Sequence, residues 1–169
     1  PGKGRTRLLA SGIPVVETWD LTPTPIDMLI GFSHSEIGRE VARYLLAKGR
    51  KKLALVRAED ERADRRAGAF KDMAAQHGCR TVIEANVGSS RTLKSGREAL
   101  SRILAQAPDI DAIFCSSDLL ALGVMTEAKA RGIDIPQQIA VVGFGDVPFV
   151  ADMVPALTSV RINSADIGQ

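Results

Sequence analysis

Short runs of apolar and β-branched residues alternate along the chain with longer amphipathic stretches, repeating roughly every 30 residues. This alternation predicts βαβ units, in which helices cover both faces of a parallel sheet. Seven strands are predicted, at residues 13–17, 28–32, 52–57, 81–85, 112–116, 140–144 and 158–162. The fold class that follows is α/β with parallel sheets.

Four of the amphipathic stretches have apolar residues at helical spacing and end at recognisable stop signals. They predict helices over about residues 35–48, 62–77, 92–106 and 118–131. Gly49, Gly78 and Gly132 follow three of them, and glycine favours the left-handed conformation that closes a helix. Pro108 prevents the continuation of the remaining one.

The helix predicted over residues 118–131 is apolar around more of its circumference than one core-facing stripe requires. Leu119, Leu122 and Met125 recur at every third position and form a second face. Two interpretations stay open. The helix is buried on two sides, or these three residues form the subunit interface of a homodimer.

Composition narrows the range of functions. The 169 residues, 45% of them hydrophobic, suffice for one globular domain or two small ones. Two cysteines and two histidines argue against a metal enzyme, so we expect neither a metal nor a cofactor. The net charge of +2 is too small to predict nucleic-acid binding by this segment itself. The longest apolar runs are far shorter than the roughly 20 residues of a membrane-spanning helix.

Two segments bring polar groups to the ends of predicted strands. Gly143-Phe144-Gly145-Asp146 places a carboxylate at the carboxyl end of a strand, where open α/β sheets bind ligands. The alternative for Asp146 is a turn or a helix cap. Gly31-Phe32-Ser33-His34-Ser35 places an aromatic ring beside a helix start, which suits a small polar ligand. His34 has no assignable nucleophile or carboxylate partner, which favours a capping or packing role.

The third cluster is the arginine-rich run from Arg62 to Arg66 at the start of a predicted helix. Positive charge there opposes the helix dipole, and a bound ligand or a carboxylate partner is one reason for such charges to be placed there. The alternative is a solvated face that pairs locally with Glu61 and Asp64. Cys115 lies on an apolar strand without a neighbouring base and is interpreted as a core residue. No matched acid and base pair is found, so we do not expect an enzyme.

Three stretches resemble, in their order and spacing, the effector-binding core of the lactose-repressor (LacI) family of bacterial transcription regulators. They are Gly31 to His34 with Gly38 and Leu45 to Gly49, then Ile113 to Asp118 with Ala121 to Gly123, then Arg131 to Pro136 with Ala140 to Asp146 and Pro155 to Val160. The segments Gly143 to Asp146 and Asp20-Leu21-Thr22-Pro23 look most like the gluconate-utilisation repressors of that family. The match covers nearly the whole chain from Leu8 onward.

The resemblance implies a periplasmic-binding-protein-like fold of two parallel-sheet α/β lobes joined by crossover strands, with effector in the cleft between them. Residues 1–48 would form part of an incomplete N-terminal lobe, 49–158 the C-terminal lobe, and 159–169 a crossover returning to the first. The family dimerises through both lobes. Its DNA-binding helix-turn-helix would precede this chain, which we therefore interpret as a piece of a longer, cytoplasmic protein.

The resemblance also implies a set of effector-binding residues. Arg66 matches the family's arginine and would donate a forked pair of hydrogen bonds. Asp146 is displaced by one place, because Gly145 intervenes after the aromatic residue. The predicted contacts are Arg66, Glu17, Phe32, Ser117, Asp146 and Arg91. With two arginines among them, an anionic sugar acid is favoured over a neutral sugar.

The function predicted is therefore the effector-binding and dimerisation core of a transcriptional repressor, which controls operator binding allosterically. The alternative is a periplasmic sugar-binding protein that feeds a transporter. The segments Arg131 to Pro136 and Gly143 to Asp146, which resemble the repressors, favour the first interpretation.

Overall fold

The computed structural model of the chain describes residues 3–21 and 24–167. Thr22 and Pro23, which belong to one of the motifs above, and the terminal residues 1–2 and 168–169 lie outside these ranges. The elements in chain order are α1 (Lys3–Ser11), β1 (Val16–Thr18), β2 (Met28–Ile30), α2 (His34–Ala47), β3 (Leu53–Arg57), α3 (Glu61–Gln76), β4 (Ile83–Asn86), α4 (Leu93–Gln106), β5 (Ala112–Cys115), α5 (Asp118–Ala130), β6 (Ala140–Phe144), a 3-10 helix (Pro148–Asp152), β7 (Thr158–Val160) and α6 (Ser164–Ile167).

The described residues form two compact units. The first unit comprises the residues up to His34 together with those from Asn163 onward, and the second unit comprises Ser35–Ile162. This division places nearly all of α2 in the second unit, whereas the boundaries proposed from the sequence put it in the first lobe. Those boundaries, after residues 48 and 158, stay predictions.

The first unit contains a two-stranded parallel sheet, in which Val16 of β1 lies opposite Met28 of β2. Gly31 directly after β2 is required by a close backbone approach: a Cβ there would lie 2.2 Å from the Asp20 carbonyl oxygen. Apolar side chains of this unit are exposed, among them Leu9 on α1 and Ile13. Helix α1 therefore has no buried apolar stripe within the unit.

The second unit is built on a five-stranded parallel sheet with the strand order β4-β3-β5-β6-β7. Successive residues of each strand face opposite sides of the sheet. Leu55 and Phe114 belong to a core cluster with residues of α2 and α3, whereas Val56 and Cys115 belong to a second cluster with residues of α4 and α5. Helices therefore cover both faces of the sheet.

The predicted fold class, seven strands and four long helices are confirmed, with ends that differ by at most three residues from those expected. Helices α1 and α6 and the 3-10 helix were not predicted, because short helices without an apolar stripe leave little periodic signal. Pro148 stands at the start of the 3-10 helix, where its fixed φ angle suits the first turn.

Candidate functional site

The carboxyl ends of the parallel strands of the second unit form the edge where a ligand site is expected. From β3 the chain passes outward to β4 and then returns to β5 on the other side of β3, so the strand order reverses between β3 and β5. Open α/β sheets bind ligands in the crevice at such a switch point. The segments that follow β3, β4, β5 and β6 supply the side chains of this unit that are described next.

Arg66 of α3 lies at this switch point and is only 4% exposed. Its Nη2 donates a hydrogen bond of 3.4 Å to the carbonyl oxygen of Ser116, which follows β5. Its guanidinium carbon lies 4.0 Å from the ring centroid of Phe144 at the end of β6. Contact with an aromatic face and a backbone carbonyl orients the guanidinium at the edge of the sheet.

The position of Arg66 depends on a glycine in the neighbouring helix α2. A Cβ at Gly38 would lie 2.1 Å from the carbonyl oxygen of Arg66, so only glycine allows this separation of α2 and α3. A cavity of about 10 Å³ lies beside Arg66 and is lined also by Ala63 and Phe114. That volume holds about one water molecule. The effector therefore cannot be enclosed there and would meet Arg66 from the edge of the sheet.

Arg91, in the loop between β4 and α4, forms an ion pair with Asp60. Asp60 is the N-cap of α3, and its Oδ1 accepts a hydrogen bond of 2.8 Å from the Ala63 amide. Burial alone would raise the pKa of the Asp60 carboxyl, but the Ala63 amide and the charges of Arg91 and Arg66 outweigh it, and the pKa lies below its ordinary value. The two predicted arginines thus share one ionised carboxylate that sequence reasoning missed.

Ser117 and Asp118 lie at the junction of β5 and α5. Ser117 is the N-cap of α5, and its Oγ accepts a hydrogen bond from the Leu120 amide. Asp118 is 3% exposed and accepts hydrogen bonds from the Val147 amide at 2.9 Å and the Ser159 hydroxyl at 2.6 Å. Asp118 therefore connects the ends of three strands, and Ser117 contributes to the helix start.

Asp146 has a positive φ of 53°, a conformation that aspartate tolerates better than most residues. Its amide donates a hydrogen bond of 3.0 Å to Ser159 Oγ, and its carboxylate is ion-paired with Arg161, which follows β7. The glycine of the same segment, Gly143, has no space for a side chain, because a Cβ would lie 2.3 Å from Oδ1 of Asp118. The segment Gly143 to Asp146 is therefore shaped by the buried carboxylate of Asp118.

Glu17 and Phe32, the two predicted contacts of the first unit, are held by local partners. The carboxylate of Glu17 accepts hydrogen bonds from Arg5 at 3.4 Å and from the Ile26 amide at 2.6 Å. The Phe32 ring makes edge contacts with Trp19 and His34 at centroid distances of 6.0 and 4.8 Å. His34 itself is buried, with Nε2 3.1 Å from the Trp19 carbonyl oxygen, which agrees with a packing role.

This topology, with the arginine at the switch point of a parallel sheet, has counterparts among known proteins. A model of the periplasmic binding protein-like domain family matches residues 42–169. The chain belongs to this family. The regulator GntR of Pseudomonas aeruginosa is 36% identical over 167 residues, which are 98% of this chain and 49% of that protein. The regulator IdnR of Escherichia coli is 28% identical over 164 residues, 96% of this chain and 49% of that protein.

Solved structures of regulators have the same fold. The transcription regulator GntR from Chromobacterium violaceum is 32% identical, with a TM-score of 0.91 over 99% of this chain and 62% of that chain. A LacI family transcriptional regulator from Silicibacter pomeroyi is 29% identical, with a TM-score of 0.90 over 99% of this chain and 64% of that chain. The resemblance to the LacI family drawn from the sequence is confirmed. The chain spans about half the length of the curated relatives it matches.

In this periplasmic binding protein-like domain, the second face expected on α5 is mostly internal. Leu122 and Met125 are 7% and 6% exposed and belong to the core, whereas Leu119 is 43% exposed. Helix α5 packs closely on α4, where a Cβ at Gly123 would lie 2.8 Å from the Cα of Gly96. The helix is therefore buried on two sides, and the subunit interface stays a prediction to which Leu119 contributes the exposed side chain.

A further cavity of the domain lies away from the strand ends. It has a volume of about 510 Å³ and lies between the end of α5, the loop that follows it, and the segment before β7. Its lining includes Met125, Ile133, Ile135, Met153 and Pro155. The lining is mostly apolar, and its polar members are Thr126, Lys129 and Asp134.

Residues 3–21 and 24–167 contain no group of three or more histidine, cysteine, aspartate or glutamate side chains that could hold a metal ion. The same ranges contain no helix long and apolar enough to cross a membrane.

Proposed function

We propose that this chain is the effector-binding core of a bacterial transcriptional repressor of the LacI family, and that its effector is a sugar acid. The supporting observation is Arg66, a buried arginine held by the Phe144 ring and the Ser116 carbonyl at the switch point of the sheet. A guanidinium oriented in this way offers a forked, charge-assisted hydrogen-bond pair to a carboxylate. Arg91, close by, adds a second positive charge.

The remaining predicted contacts, Glu17, Phe32, Ser117 and Asp146, complete the proposal. Sugar hydroxyls require both donors and acceptors, and an aromatic ring packs on the apolar face of a sugar. Glu17, Ser117 and Asp146 supply oxygen acceptors, and Phe32 supplies the ring. Under this proposal the protein is no enzyme: the curated relatives reported above are regulators by name.

Calorimetric titration of the purified protein with D-gluconate, and with glucose as a neutral sugar of similar size, tests the effector class. We expect gluconate to bind and glucose to bind at least tenfold more weakly. Arg66→Ala should weaken gluconate binding roughly 10- to 100-fold, the usual size of a lost charge-assisted hydrogen bond. Arg65→Ala, the neighbouring arginine that pairs with Glu61 on the same helix, is the matched control. Equal affinities of the Arg66→Ala and wild-type proteins would remove Arg66 from the site.

Operator binding, through a helix-turn-helix outside this chain, and a cytoplasmic location are further parts of the proposal. In the intact protein, gluconate should change the affinity for operator DNA by roughly 5- to 150-fold, the usual range of allosteric coupling. Peptide mass spectrometry of the intact protein separates this from the alternative, a periplasmic sugar-binding protein. A DNA-binding domain upstream supports the regulator, and a cleaved signal sequence supports the transport receptor.

We also propose that the protein forms a homodimer through a surface that includes Leu119 of α5. A charge at Leu122 or Met125 would not test this, because both side chains are buried in the core of the chain itself. Leu119→Glu changes an exposed side chain and should yield monomers in sedimentation while the thermal stability of the monomer is kept. A sedimentation coefficient equal to that of the wild type would exclude Leu119 from the interface.

A further inference from the structure

Asp60 is a carboxylate on which both proposed effector-binding arginines of the second unit act. It forms the ion pair with Arg91, and its pKa is lowered by the charge of Arg66 as well. Its place is fixed by the fold, because Oδ1 caps α3 through the Ala63 amide. The carboxylate therefore lies between the helix that positions Arg66 and the loop that positions Arg91.

We propose that Asp60 competes with the anionic group of the effector for Arg91. It thereby sets how strongly the site favours a charged effector over a neutral one. This inference rests on the proposed function and names a residue that controls its specificity. A sugar acid that binds Arg91 must either displace Asp60 from it or bind beside an existing negative charge. In both cases Arg91 adds less binding free energy than it would without Asp60. An effector whose negative charge is weaker or misplaced gains no affinity from Arg91.

The geometry explains how Arg91 can leave Asp60 and bind the effector. The side chain of Arg91 is about half exposed, at 51%, so its guanidinium can turn toward a ligand without unpacking the core. Asp60 stays in place when Arg91 leaves, because the Ala63 amide continues to bind its Oδ1. Arg66, at 4% exposed, has no such freedom. The site thus combines one fixed arginine with one that exchanges an internal carboxylate for that of the effector.

Asp60→Asn removes the negative charge of this side chain and keeps its role as the N-cap of α3. Asparagine is as good an N-cap as aspartate, so its side-chain oxygen can still accept the Ala63 amide, while the negative charge is lost. We expect Asp60→Asn to bind D-gluconate on the order of tenfold more tightly than the wild type, because Arg91 then has no charge-assisted hydrogen bond to give up when it binds the effector. Binding of the neutral polyol D-glucitol should change less than twofold. A purely structural role of Asp60 would alter both ligands alike.

A double-mutant cycle identifies Arg91 as the group through which Asp60 acts. Arg91→Ala should weaken gluconate binding, and most of the gain from Asp60→Asn should disappear in that background. Glu40→Gln is the matched control, since it removes a carboxylate from another arginine pair, with Arg43 on the outer surface of α2. It should leave the affinities for gluconate and glucitol unchanged.

The outcomes separate this inference from the function on which it rests. Gluconate binding by the wild type with no change in Asp60→Asn overturns the role of Asp60 and leaves the effector class intact. If the wild type binds no sugar acid, the effector class is wrong, and inorganic sulfate becomes the probe of the two arginines. Asp60→Asn must then bind sulfate more tightly than the wild type, and equal sulfate affinities overturn the inference.

Discussion

The contact between Gly38 and the backbone of Arg66 allows a sharp test of how α2 positions the site. In Gly38→Ala the new Cβ would lie 2.1 Å from the Arg66 carbonyl oxygen and 2.9 Å from its carbonyl carbon. Ordinary contact begins at 3.4 Å, so the two helices must separate by about 1.3 Å. The atoms in contact are backbone, which cannot turn aside as a flexible side chain would.

The expected size follows from two opposing effects. Replacing glycine by alanine within a helix is favourable by roughly 0.8–1 kcal/mol, whereas overpacking a close contact typically costs about 1–3 kcal/mol and occasionally more. Because a displacement of this size separates two whole helices, we expect an overpacking cost at the upper end of this range, so that Gly38→Ala lowers the free energy of unfolding by about 1–2 kcal/mol net. For a domain of this length that corresponds to a fall of roughly 2–8 °C in Tm.

Gly68→Ala supplies the matched control. Gly68 is also inside a helix, α3, but a Cβ there would have nothing within 4 Å. It should gain the helix propensity without the clash and raise the free energy of unfolding by roughly 0.5–1 kcal/mol. Urea unfolding followed by circular dichroism, with the m-values compared, measures both variants. The reasoning is refuted if Gly38→Ala is as stable as Gly68→Ala.

Three further outcomes can be measured on the same protein. Burial alone would raise the pKa of Glu84, but hydrogen bonds from Lys71 and Arg57 lower it below its ordinary value. The ionised Glu84 side chain therefore stabilises the folded protein at neutral pH, and this contribution is lost as the pH falls through the lowered pKa. Glu84→Gln should flatten the acid side of the stability profile, and an unchanged profile contradicts this. Asp118→Asn should cost roughly 1–3 kcal/mol of unfolding free energy by urea titration, because the Val147 amide and the Ser159 hydroxyl lose a buried charged acceptor; wild-type stability would contradict it. Burial and the charge of Asp118 raise the pKa of the Cys115 thiol, so in a Cys79→Ser background we expect a disulfide reagent to modify it no faster than the protein unfolds.

The sequence by itself determined those elements whose signal is local. Alternation of apolar runs and amphipathic stretches predicted the strands and long helices of the sheet, because each pattern recurs within a few residues. The resemblance to the LacI family arose from ordered motifs rather than from physical chemistry, and it pointed to Arg66. It did so without indicating what would hold that side chain.

Only the tertiary structure decided which residues meet. Arg66 and Ser116 are 50 positions apart, and Asp60 and Arg91 are 31 apart, so no local pattern connects them. Asp60 was detectable as a polar residue before a helix, a cap signal, but its partner was not. Likewise Met125 has the same helical spacing as Leu119, yet one is in the core and the other exposed, because that depends on where α4 and the sheet pack around α5. Periodicity states that a face is apolar, and only packing determines what covers it.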